Sequence, residues 1–92
     1  MFVRVSSKVK KMSDNNQQLD LYSMEIGQKA LVLSVNANEI IRQRLFDMGV
    51  LPNCEIVKER SALGGDPVWV RLGSVQIALR KNEAQAVVVK IA

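Results

Sequence analysis

Two alternating segments joined by a two-residue turn constrain the fold of this chain more than any other feature. In Val68–Leu72 and in Val75–Leu79, apolar side chains recur at every second position, which is the period of a half-buried strand. Gly73 and Ser74 lie between these segments, and glycine suits the first central position of a type II′ turn. The sequence therefore predicts an antiparallel hairpin with one buried face.

The residues around Gly49 have the composition of a helix end followed by a strand. Gly49 can close a helix in the left-handed conformation, because it has no Cβ to clash. Val50 would then pack back onto the last turn, and Pro52 biases Leu51 towards an extended conformation. Leu45 belongs to an apolar stripe at helical spacing, so we expect it to face the core.

The start of this helix has two alternative caps. Asn36, with Glu39 three positions later, matches a capping box, whereas Asn38 would make the helix one turn shorter. Separate helical turns are predicted at residues 21–24 and 82–85.

The remaining apolar segments complete a small sheet. Residues 28–35 and 86–91 are rich in apolar β formers, and residues 55–60 carry charges on both sides, as is typical of a strand near a sheet edge. With the hairpin, these segments make five short strands around one internal helix and short helical turns. Strands so numerous in a short chain usually curl into a barrel, because closure hides their edges. We therefore predict a mainly β fold, an SH3-like five-stranded barrel over residues 19–92, after a flexible extension over residues 1–18.

The composition argues against several classes of function. The chain has one cysteine, Cys54, and no histidine, so an internal disulfide, the usual zinc clusters and Cys–His or Ser–His catalysis are not available. No spacing of carboxylates suggests acid–base catalysis or a metal site, and we expect no catalytic residue, no metal ligand and no cofactor. No apolar run approaches the roughly 20 residues that span a bilayer, and no signal peptide is apparent, so we expect a cytoplasmic location.

The positive charge is concentrated near the start of the chain. Residues 1–18 carry four basic side chains and one acidic, whereas residues 19–92 carry nine basic and eight acidic. Dispersed charges with few aromatic neighbours are a weak signal for nucleic-acid binding, so we expect no nucleic-acid partner.

Four motifs follow one another in a characteristic order. They are Leu21-x-x-Met24-x-x-Gly27, Arg44-Leu45-x-x-Met48-Gly49-x-x-Pro52, Gly65-Asp66-Pro67 and Ile77-Ala78-Leu79-Arg80-x-x-Glu83-Ala84. The ordered set resembles the FeoA family of small cytoplasmic proteins of bacterial ferrous iron uptake, over about residues 21–91. The family has an SH3-like barrel fold. Asn53 stands where the family usually has glycine, and asparagine tolerates the left-handed conformation better than most residues.

The resemblance implies a non-enzymatic accessory role. FeoA proteins act with FeoB, the membrane iron transporter that carries a cytosolic GTP-binding domain. The chain itself has no GxxxxGK[ST] phosphate loop. Contact with the cytosolic side of FeoB is therefore the expected activity, without membrane insertion, and exposed strand edges make a homo-oligomer plausible. The alternative is an SH3-like regulatory module related to the C-terminal domain of iron-dependent transcriptional repressors, which would need a separate DNA-binding partner.

Candidate partner-binding residues lie mainly at turns and strand ends. They are Arg44, Val50, Leu51, Pro52, Asp66, Pro67, Trp69 and Arg80, while Leu45, Gly49 and Ala84 belong to the structural part of the motifs.

Each candidate also has a purely structural interpretation. Arg44 could pair with Asp47, Arg80 could pair with Glu83, and the carboxylate of Asp66 could accept from its local backbone. The side chains at positions 50 and 51 dock a partner if exposed and belong to the core if buried, and the indole at position 69 either packs or anchors an interface.

Overall fold

The computed structural model describes residues 18–92, which form an antiparallel sheet of six strands with two α-helices. In chain order the elements are β1 (Gln18–Asp20), a 3-10 turn (Leu21–Ser23), β2 (Lys29–Val35), α1 (Glu39–Asp47), β3 (Glu55–Ser61), β4 (Val68–Leu72), β5 (Val75–Leu79), α2 (Lys81–Ala86) and β6 (Val87–Ile91). The strand order is β1-β6-β2-β3-β4-β5, and each neighbouring pair is antiparallel. The mainly β class predicted from the sequence is confirmed.

The strand count differs from the prediction by one. The sixth strand, β1, has three residues and pairs with β6, with Gln18 opposite Lys90. A strand this short shows no period, so the sequence pattern gives no sign of it. Apart from Gln18, the predicted flexible extension lies outside the described residues.

The position of β3 corrects the prediction of a strand near an edge. β3 lies inside the sheet, between β2 and β4. Its side chains alternate after all, because Ile56 and Lys58 are both buried. Because position 58 carries a charge, the sequence did not show that the side chains at positions 56 and 58 both face the core.

The core lies between the sheet and the elements that cover it. Its largest fully buried side chains are Leu21, Leu45, Ile56 and Leu79. The predicted hairpin is present, with Leu72 opposite Val75 and Gly73 at a φ of 63°.

A side-chain cap fixes the start of α1. The side chain of Asn38 caps the start by accepting the Ile41 amide at 2.9 Å. Asn36, the other candidate cap, instead donates its backbone amide to the Ala86 carbonyl at 2.7 Å.

No helix in the described part of the chain is long and apolar enough to cross a membrane.

The end of α1 is the predicted glycine exit. Gly49 has a φ of 99° and donates to the Phe46 carbonyl at 3.0 Å, while Val50 donates to the Leu45 carbonyl at 2.9 Å. These two bonds define a Schellman motif. Asn53 follows with a φ of 72°, as expected for an asparagine in a glycine position.

Candidate functional site

Four of the candidate partner-binding residues meet in one open cleft, which we call the arginine cleft. Arg44 of α1, Asp66 and Pro67 of the β3–β4 loop, and Arg80 after β5 line it together with Ala78, around a volume of about 450 Å³. The hairpin brings the loop and Arg80 together, because the residue after Pro67 pairs with the residue before Arg80.

Both arginines of the cleft contact Glu83, Arg44 through its side chain and Arg80 through its backbone. A guanidinium nitrogen of Arg44 lies 3.3 Å from Oε2 of Glu83, whose side chain is only 4% exposed. Oε1 of Glu83 accepts the backbone amide of Arg80 at 2.8 Å. The Arg80 guanidinium itself makes no hydrogen bond or ion pair with the described residues. Asp47 instead accepts from Gln43 at 3.0 Å, so both local ion pairs considered from the sequence are wrong.

Asp66 acts on a distant part of the backbone. Its Oδ1 accepts the amide of Lys81, the first residue of α2, at 3.1 Å. The expected bond to its own loop is replaced because β4 and β5 place α2 beside that loop. The contact holds the loop and the start of α2 together at one wall of the cleft.

The side chain of Tyr22 lies against the same loop at Gly65. The Cα of Gly65 lies so close to Tyr22 that an added Cβ would collide with the phenolic oxygen. The Nζ atoms of Lys58 and Lys81 lie 5.2 Å and 5.3 Å from the centroid of the Tyr22 ring, within the range of a cation–π interaction. The position of the Asp66–Pro67 wall therefore depends on this ring.

Lys58 joins β3 to the 3-10 turn in the interior. Its Nζ donates to the carbonyls of Tyr22 at 2.7 Å and Met24 at 2.8 Å. Burial lowers the pKa of Lys58 because it strips water from the ammonium group, and the charge of Asp20 opposes that shift.

A second open cleft, which we call the apolar cleft, lies at the other end of the hairpin. It also has a volume of about 450 Å³ and is lined by Met48, Gly49, Cys54, Glu55, Leu72, Gly73 and Val75. Leu51, which follows α1, is 42% exposed, and Val75 is 54% exposed. Aliphatic side chains at such a surface suit the docking of another apolar group.

The remaining candidates line neither cleft. Val50 is completely buried, so it belongs to the core and presents no surface to a partner. Pro52 is exposed. Trp69 is half-buried on the outer side of the sheet, where the Arg60 guanidinium lies 4.2 Å from its ring centroid. Leu45 and Ala84 are completely buried.

Sequence reasoning missed Lys58 and gave Glu83 a different role from the one it has in the structure. Lys58 alternates with Ile56, so a strict strand period would have placed it inward. Glu83 stands three positions after the N-cap Arg80, which is the acidic half of a capping box. Residues 18–92 hold no cluster of three or more metal-binding side chains.

The sequence comparison identifies the family. The model of the FeoA domain matches residues 19–91. The chain belongs to the FeoA family. A Campylobacter jejuni protein named as a candidate Fe(2+) transport protein A is 29% identical over 73 residues, covering 79% of this chain and 99% of that protein.

Solved structures agree with this assignment. An FeoA-like protein from Clostridium acetobutylicum is 32% identical with a TM-score of 0.74, over 80% of this chain and 86% of that one. The FeoA of Stenotrophomonas maltophilia, described as a procaryotic SH3 domain protein complexed with zinc, is 33% identical with a TM-score of 0.70, over 78% and 89%. The predicted SH3-like fold is therefore confirmed, and the chain is a member of a family involved in Fe(2+) transport.

A manganese-dependent transcriptional repressor has the same fold without close sequence similarity. It is 15% identical with a TM-score of 0.76, over 82% of this chain and 37% of the repressor. At that identity the likeness concerns the fold alone, and the regulatory alternative stays a prediction.

Proposed function

We propose that this protein is a non-enzymatic accessory protein of ferrous iron uptake, which acts in the cytoplasm by contacting the cytosolic side of an FeoB transporter. Membership of the FeoA family over residues 19–91 is the observation that carries the proposal. The surface chemistry supports it, because the two clefts offer charge and apolar walls for recognition.

The arrangement of the arginine cleft favours a protein surface as the partner. Arg44, Asp66, Pro67 and Arg80 come from separate elements and converge on a shallow, open site. Small-molecule sites are usually deeper and bury most of their ligand. Loops and strand ends on a rigid scaffold are common positions for binding residues.

Titration with the transporter tests the proposal directly. The cognate FeoB is purified with its membrane part in lipid nanodiscs and titrated with the protein under reducing conditions, with and without guanine nucleotide. We expect saturable, one-site binding in at least one nucleotide state. Absence of binding in every state would refute a direct contact.

Uptake measurements in cells test the accessory role. Deleting the gene while leaving FeoB intact should lower anaerobic uptake of radioactive ferrous iron, and a plasmid copy should restore it. The amount of FeoB in the membrane is measured in parallel, because a lower amount would indicate that the protein stabilises the transporter. Unchanged uptake after deletion would contradict the accessory role.

A further inference from the structure

The two clefts lie near opposite ends of β5. Arg44 of α1 lines the arginine cleft, and Met48, the C-cap residue of α1, lines the apolar cleft. These positions are four apart, so they lie on one face of the helix end. β5 contributes Ala78 to the first cleft and Val75 to the second. We call the surface that runs from Arg44 and Arg80 along β5 to Met48 and Val75 the α1–β5 groove.

One wall of the groove is the free edge of the sheet. β5 has a single strand neighbour, β4, within the described residues. Leu72 and Val75 close a two-residue turn and form a hydrogen-bonded pair, so the alternation of an antiparallel ladder turns the backbone groups of Gln76 and Ala78 away from β4. No backbone hydrogen bond inside residues 18–92 uses these outward groups. Such an edge is a template for another strand.

The ends of the groove differ in chemistry. At one end the Arg80 guanidinium has no partner among the described residues, while Arg44 forms an ion pair with Glu83. At the other end Met48, Leu72 and the exposed Val75 offer aliphatic surface, and the carboxylate of Glu55 beside them disfavours a second acidic group at this end. An incoming strand has the same rise per residue as β5, and Val75 and Arg80 are five positions apart, so side chains that reach both ends are about five residues apart.

We propose that the α1–β5 groove binds an extended, acidic segment of a partner protein, which adds a strand to β5. The segment carries a carboxylate that pairs with Arg80 and, about five residues away, an aliphatic side chain that enters the apolar cleft. Main-chain bonds supply affinity in this mode of recognition, and the side-chain pockets supply specificity. The inference rests on the proposed function, since it takes the partner to be the transporter.

Charge argues against a second copy of the chain as the occupant. β5 of another copy has the sequence Val75–Leu79, which contains no acidic side chain and is followed by Arg80 and Lys81. Pairing two β5 edges would therefore leave Arg80 without a carboxylate from the added strand. A partner segment with an acidic residue removes that mismatch.

Two variants and their matched controls test the inference against FeoB in nanodiscs. Arg80→Glu reverses the charge in the groove, and Arg42→Glu makes the same change at an exposed position of α1 outside both clefts. Ala78→Pro removes an outward N–H without removing a bond to β4, and Ala78→Ser keeps that N–H. We expect Arg80→Glu and Ala78→Pro to weaken binding about tenfold or more, and both controls to bind as the wild type does.

Hydrogen exchange in the wild-type protein gives a reading that does not depend on how Ala78→Pro folds. The amides of Gln76 and Ala78 should exchange fast in the free protein and become protected when FeoB is added. Circular dichroism and thermal unfolding show which variants are folded before affinities are compared.

The outcomes separate this inference from the proposed function. If wild-type protein fails to bind FeoB, the proposed function is refuted and the inference falls with it. If wild-type protein binds, but Arg80→Glu binds equally well and the two amides stay unprotected, only the groove is refuted. A dimer in analytical ultracentrifugation that Ala78→Pro dissolves would identify a second copy as the occupant and overturn the proposal.

Discussion

A guanidinium nitrogen of Arg44 on α1 lies 3.3 Å from the nearly buried carboxylate of Glu83 on α2. The same carboxylate holds the backbone amide of Arg80 at 2.8 Å. One acidic group thus joins two helices and the end of β5, and it determines which of the two cleft arginines remains available. The side chain of Glu83 is 4% exposed, so these contacts replace the hydrogen bonds that water would otherwise make to its oxygens.

Arg44→Met should destabilise the protein by about 1–3 kcal/mol, because it leaves a buried carboxylate with one partner fewer. Urea denaturation measures this cost, and Arg42→Met, an exposed change on the same helix, should cost little. In an Arg44→Met/Glu83→Gln protein the loss should be smaller than the sum of the single changes, since the two residues are coupled. Strict additivity would show that the ion pair contributes nothing.

Two adjacent glycines should respond differently to the same substitution. Gly64 and Gly65 have φ values of 88° and 86°, but an added Cβ meets open space at Gly64 and the Tyr22 phenol at Gly65. Gly64→Ala should cost about 1–2 kcal/mol from the left-handed backbone alone, and Gly65→Ala should cost more. Denaturation of both variants, repeated in a Tyr22→Phe background, measures the steric part. Equal costs for the two glycines would contradict the contact.

Lys58→Met should destabilise the fold by about 1–3 kcal/mol, because the carbonyls of Tyr22 and Met24 lose their donor. The folded pKa of Lys58 lies below its unfolded value, so the unfolded chain binds more protons between the two values. Stability therefore rises with pH across that alkaline window in the wild type. Denaturation at several pH values should show a smaller rise in Lys58→Met, with the exposed Lys29→Met as control. Identical slopes in both variants would refute the assignment.

The acid limit of stability should depend on Glu59. The hydrogen bond from Arg71 is the largest cause that lowers the pKa of Glu59, and the hydrogen bond from Gln76 is the next. Because the folded pKa is below the unfolded one, its contribution is complete above the unfolded value and is lost as pH falls through the folded value. Carboxyl carbon NMR should show this pKa rising towards the ordinary glutamate value in Arg71→Ala and staying low in Arg42→Ala. An unchanged pKa in Arg71→Ala would remove the proposed cause.

Features that depend on neighbouring residues were predictable. The Gly73–Ser74 turn and the Gly49 exit follow from conformations that glycine alone reaches easily, and the structure has both. The start of α1 was not decided, because Asn36 and Asn38 are equally good caps locally. The contact between Asn36 and Ala86 settled it, and that contact requires β2 and β6 to be neighbours.

The two local ion pairs considered from the sequence are also wrong, because contacts between distant segments decide which charges meet. Arg44 with Asp47, and Arg80 with Glu83, are local pairs that a helix or a turn makes available. The folded chain offers Arg44 a carboxylate 39 positions away, which is nearly buried, so removing its charge partner costs more than it would for an exposed carboxylate. Sequence distance carries no information about such a contact.

The amino-acid sequence by itself determined the β class, the hairpin, the glycine exit from α1 and the family, because each depends on local conformation or on the order of motifs. Only the tertiary structure decided that Val50 is buried, that Glu83 holds Arg44, and that two clefts open near the ends of β5. The physical reason is that these depend on the strand order and on which groups lose water when distant segments pack together.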